Sequence, residues 1–133
     1  MSAGTRRDGL FWCVIAYAVA SLFHYSHNAE FLMAYPNLPS WLTRAEVYAA
    51  WAGVTVVGVA GYSLLTRGHR LAGMLTLTAY GLIGLDGLGH YAVAPLSAHT
   101  VTMNVSIWLE VATASALLAA LLHILARPSS KQA

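Results

Sequence analysis

Residues 100–126 read TVTMNVSIWLEVATASALLAALLHILA, an apolar run of helix formers interrupted by a single carboxylate, Glu110. About 20 such residues suffice for a helix to cross the roughly 30 Å hydrocarbon layer of a bilayer. Three more runs of this kind precede it, at about 9–32, 46–66 and 71–91. Across the chain 58% of residues are hydrophobic and 9% are charged, against roughly 25% charged in an ordinary soluble domain. The mean hydropathy is +0.61. So few charges cannot coat a water-facing surface, and lipid offers no partners for open sheet edges. The expectation is an all-α integral membrane protein with four transmembrane helices, the domain running from 9 to 126.

Charge sets the expected orientation. Arg6 and Arg7 precede the first span, Arg67 and Arg70 separate the second and third, and Arg127 and Lys131 follow the fourth. Arg44 alone lies on the opposite side. The positive-inside rule then puts residues 1–8, the middle loop and the polar tail 127–133 in the cytoplasm. Short loops favour an up-down-up-down bundle, in a bacterial inner membrane. A competing reading takes Arg6, Arg7 and Ala18-Val19-Ala20 as a signal peptide with its cleavage site, yet the apolar run continues past Phe23. The one cysteine, Cys13, excludes an intramolecular disulfide. Basic residues are too scattered for nucleic-acid binding.

The loops carry their own signals. Pro36 and Pro39 forbid a continuous helix in the first outer loop. Thr43 with Glu46 three residues on predicts a capping box opening the second helix, and Ser97 or Thr100 is placed to cap the fourth. Gly53, Gly58, Gly61 and Gly81 suit close helix packing in lipid.

Ionisable groups within spans cost about 2.5–3.5 kcal/mol each on insertion scales, so each asks for a reason. His24, His27 and Asn28 share one helical face, and Asp86 and His90 share another. His99, Met103, Ser106, Glu110 and Thr113 draw a semi-polar stripe down the last helix. Such faces are expected to turn inward and meet in a pocket opening away from the cytoplasm. The first functional reading is a site for a divalent transition metal, zinc, iron or copper, ligated by His24, His27, Asp86, His90 and Glu110, with Glu30 as a further candidate. A second uses Glu110 and His24 as acid and base on a lipid-like small molecule, without metal. A third is a non-catalytic accessory subunit meeting a membrane partner or a second copy, or holding haem between His24 and His90. Each histidine also has a plainer explanation. His99, His69 and His123 read as interfacial anchors, and the Asp86–His90 pair as a structural clasp.

Overall fold

In the computed structural model, which describes residues 3–126 and side chains from residue 8 onward, every regular element is helical. The elements are α1 (Ala3–Glu30), α2 (Arg44–Thr66), α3 (Arg70–Ile83), α4 (Gly89–Val93) and α5 (Val101–Ala126). Four segments are long and apolar enough to cross a membrane: Asp8–Glu30, Arg44–Thr66, Arg70–Val93 and Val101–Ala126. The tail 127–133 and the side chains of Arg6, Arg7, Arg127 and Lys131 lie outside the described residues.

Local chemistry explains the ends of the elements. Thr43 and Glu46 form the capping box of α2: the Thr43 amide donates to Glu46 Oε2 at 2.7 Å, and the Glu46 amide donates to Thr43 Oγ1 at 3.3 Å. The helix closes in a Schellman turn. Gly68 takes φ +90°, its amide donates to the Leu65 carbonyl, and the His69 amide reaches back to the Leu64 carbonyl at 2.9 Å. Thr100 caps α5 by accepting from the Met103 amide at 3.3 Å.

The third apolar segment departs from the sequence expectation. It is not one helix over 71–91. Instead α3 stops at Ile83, a 3₁₀ turn spans Asp86–Leu88, and α4 resumes the coil. Gly81, Gly84 and Gly87 recur every three residues here, and glycine is the weakest non-proline helix former. They also let backbone press against α5. A Cβ on Gly81 would sit 2.9 Å from Leu118, and one on Gly84 would sit 2.6 Å from both Ala114 and the Tyr17 ring. One on Gly87 would lie 3.3 Å from Glu110 Oε2.

Packing closes a ring in which α1 touches α2 and α5, and α3 touches α2 and α5. Its interior divides lengthwise. Leu10, Val14, Tyr17, Met74, Leu77, Tyr80, Ala114, Leu117 and Leu121 fill one half as a continuous apolar core. The other half buries Ser21, His24, Asn28, His99, Ser106 and Glu110. The outward faces remain apolar, with Val56, Val59, Leu75, Val101 and Leu122 all exposed.

Candidate functional site

Two helical stripes build the polar half. On α1, Tyr17, Ser21, His24 and Asn28 follow steps of four, three and four, and all are buried. On α5, Met103, Ser106, Glu110 and Ala114 follow steps of three, four and four and are also buried, and each stripe faces the other across the α1–α5 contact.

His24 sits where they meet. Its Nδ1 lies 3.2 Å from Ser106 Oγ, and its Nε2 lies 3.6 Å from Glu110 Oε2. The Ser106 hydroxyl donates to the Met103 carbonyl at 2.8 Å, which spends its only proton. Ser106 Oγ is therefore the acceptor, the proton of neutral His24 sits on Nδ1, and the Nε2 lone pair faces the carboxyl group. A separation of 3.6 Å is an ion-pair approach rather than a formed hydrogen bond. Both residues are at most 3% exposed.

His90, on α4, meets His24 edge to face with ring centroids 5.3 Å apart. The Asn28 amide donates to its Nε2 at 3.4 Å. His27 is half-buried and turned away from Glu110, its Nδ1 lying 2.9 Å from the Tyr35 hydroxyl. Burial pushes the Tyr35 phenol up to about 12, with the Ser106 hydroxyl close enough to oppose the shift as a hydrogen-bonding neighbour.

These groups border a cavity of about 430 Å³, a volume suited to a small organic ligand. Its polar end carries His24, Asn28, His90 and Glu110, with Asp86 at the exposed rim. Leu38, Pro39, Leu42, Val47, Ala50 and Val93 make the apolar remainder. The loop joining α1 to α2 forms one wall and is pinned in place. Asn37 adopts φ 58° and its amide donates to the Val93 carbonyl at 2.9 Å. Several buried polar atoms in this half have no hydrogen-bond partner, namely Ser21 Oγ, Asn28 Oδ1, His90 Nδ1, His99 Nε2 and Glu110 Oε2, and the Tyr17 hydroxyl at the edge of the apolar half has none either. Native interiors rarely leave so many such atoms together.

The expected metal-ligand set does not assemble. Among the described residues, no three His, Cys, Asp or Glu side chains are grouped so that they could hold a metal ion. The reasons are local. Nδ1 of His27 is committed to Tyr35 and Nε2 of His90 to Asn28, while Nε2 of His24 meets the Glu110 carboxyl alone. Glu30 is outside the site altogether, bonded to Arg44 at 2.7 Å and to the Tyr48 hydroxyl at 2.8 Å. For haem, the edge-to-face contact of His24 with His90 leaves no slot for a flat macrocycle between them.

His99 is buried rather than anchored at an interface, with Nδ1 donating to the Pro95 carbonyl at 3.1 Å and its ring against His90 and Tyr91. His69 and His123 are exposed. Sequence reasoning missed Tyr17, Ser21 and Tyr35. The first two carry a readable signal, lying seven and three residues before His24 on the same face. Tyr35 carries none, because a loop fold and not a helical period brings it in. Comparison with known protein families, curated proteins and solved structures finds no match.

Proposed function

We propose that this chain is an intramembrane acid–base catalyst of the isomerase type, acting on a neutral, lipid-like small molecule at the His24–Glu110 pair. It crosses a bacterial inner membrane four times, up-down-up-down, with both termini on the cytoplasmic side and the cavity in the outer half. Support for the membrane setting comes from the four apolar segments and their exposed valines and leucines. Arg67 and Arg70 mark the cytoplasmic loop.

The carrying observation is the lone pair of His24 Nε2 directed at Glu110 Oε2 from 3.6 Å, beside a largely apolar cavity. One proton serves both groups, so the pair is neutral overall and avoids the cost of an isolated charge in lipid. Glu110 gives that proton to one carbon of a substrate double bond, and His24 Nε2 takes another from the carbon attached to the other end of that bond, so the double bond moves by one position. Transfer from His24 back to Glu110 restores the pair. Substrate carbon–hydrogen bonds shift, and no proton is gained or lost overall. Ser106 fixes the tautomer that leaves Nε2 free to accept. Asn28 and His90 are placed to hold a polar group of the substrate at this end.

Isotope exchange tests this on a mixture in which the substrate has not been identified. Purified protein is reconstituted in the total lipid extract of its expression host, incubated in D2O, and the lipids are analysed by mass spectrometry. Wild type should place carbon-bound deuterium in one lipid species, and Glu110→Gln and His24→Ala should not. The proposal fails when no species gains deuterium beyond protein-free vesicles, or when Glu110→Gln performs as well as wild type.

A further inference from the structure

A succession of proton-carrying groups leads from the buried pair towards the outer surface. His27, half-buried at the outer end of α1, holds Nδ1 2.9 Å from the Tyr35 hydroxyl. That phenol has the Ser106 hydroxyl as a hydrogen-bonding neighbour. Ser106 Oγ lies 3.2 Å from His24 Nδ1, and His24 Nε2 lies 3.6 Å from Glu110 Oε2. Each member can accept a proton on one side and release one on the other, and an imidazole does so between its two nitrogens.

We infer that His27, Tyr35, Ser106 and His24 form a one-sided proton relay connecting Glu110 to the outer aqueous phase. The inference deepens the acid–base reading above and takes from it the role of Glu110 as proton carrier. Toward the other end Tyr17 and Tyr80 pack ring against ring, with Leu10, Val14, Leu77, Leu117 and Leu121 around and beyond them. Among the described residues no hydrogen bond extends that way from the Tyr17 hydroxyl or from Ser21 Oγ.

The resting hydrogen bonds give the protons of His24 and Ser106 their starting positions. A proton leaving Glu110 goes to His24 Nε2, and the Nδ1 proton passes to Ser106 Oγ. Rotation of the Ser106 hydroxyl from the Met103 carbonyl hands its proton to the Tyr35 oxygen, and the Tyr35 proton goes to His27 Nδ1. His27 then releases one proton to outer water. Every relay member has gained one and lost one, and Glu110 is left as carboxylate. Reversal of the same steps reloads it. Among charged groups, Asp86 at the cavity rim faces Glu110 from the 3₁₀ turn, and His90 faces His24 from α4. Neither lies in the succession from His27 to Glu110.

Infrared spectroscopy of the protein in lipid nanodiscs tests the relay. The protonated carboxyl band lost in Glu110→Gln identifies Glu110, and its shift after transfer to D2O gives the exchange rate. Tyr35→Phe, which keeps the ring and removes the hydroxyl, should slow that exchange by about tenfold or more. Ser106→Ala should slow it in the same way, and Tyr91→Phe, off the path, should leave it unchanged. Thermal unfolding of each variant confirms that a folded protein is measured. Exchange at the wild-type rate in both Tyr35→Phe and Ser106→Ala overturns the relay, as does a Glu110 carboxyl that carries no proton at any pH where the protein is folded. Slowed Glu110 exchange without deuterium in any lipid would leave the relay standing and remove the catalytic reading. Lipid deuteration that survives in Tyr35→Phe, with unslowed exchange, would do the reverse.

Discussion

Nε2 of His24 and Oε2 of Glu110 approach to 3.6 Å with both residues nearly sealed from the surroundings. Removing one partner strands a polar group in the interior, at a cost of about 1–3 kcal/mol. Removing both together strands neither. His24→Leu and Glu110→Leu should each lower the unfolding midpoint in detergent, and the double variant should lose clearly less than the sum of the two. Strict additivity would show that the residues do not interact.

Close backbone approach makes a second prediction. A Cβ on Gly73 would meet the Leu65 amide nitrogen at 2.6 Å, and one on Gly84 would meet the Tyr17 ring and Ala114 at 2.6 Å, whereas one on Gly53 meets nothing within 4 Å. Gly73→Ala and Gly84→Ala should cost about 1–3 kcal/mol through overpacking. Gly53→Ala should be neutral or stabilising by up to about 1 kcal/mol, since alanine is the better helix former. Thermal melts of the three variants give the order.

Asn37 performs two tasks that can be separated. It accepts a left-handed conformation at φ 58° and ties the outer loop to Val93. Asn37→Gly keeps the first and loses the second, at about 1 kcal/mol. Asn37→Ala loses both and should cost about 1–2 kcal/mol more. Limited proteolysis of the loop should therefore be fastest in Asn37→Ala, intermediate in Asn37→Gly and slowest in wild type.

Alkaline pH should loosen the same loop. Burial raises the Tyr35 phenol from its ordinary value of 10.0 to about 12, so the folded state favours the neutral hydroxyl. The stabilisation this gives is complete below the ordinary value and is lost as pH climbs towards the raised one. Tyrosinate absorbance of wild type minus Tyr35→Phe should report a phenol titrating later than free tyrosine. A difference curve centred at the free value would show that the phenol is not held as described.

Much of this arrangement could be read from the chain. The apolar lengths give four helical segments long enough to span a membrane, and the spacing of Thr43 to Glu46 gives the start of α2. The depth of Glu110 in an apolar run marks it as the residue most in need of a partner, and helical periodicity puts His24 and Asn28 on one face. Periodicity could not say which nitrogen of His24 is occupied, because that depends on where the Ser106 hydroxyl points. Nor could it foresee the break after Ile83. Glycines at three-residue intervals read equally as packing positions within a continuous helix, and contact with α5 decides between the two. Histidine and carboxylate spacing suggested ligands. Metal binding requires lone pairs free to converge, and Tyr35 and Asn28 claim those of His27 Nδ1 and His90 Nε2 here.

Only 11% of the apolar window of α2 is buried, the smallest share of the four, although Glu46, Val47 and Ala50 of this helix line the cavity. α2 packs more extensively on α3 than on α1, and local opening follows the contacts that must be broken, so the α1–α2 seam is the side of this wall that yields more readily. In the membrane setting proposed above, a molecule dissolved in the acyl chains would enter and leave sideways through that seam, without passing through water.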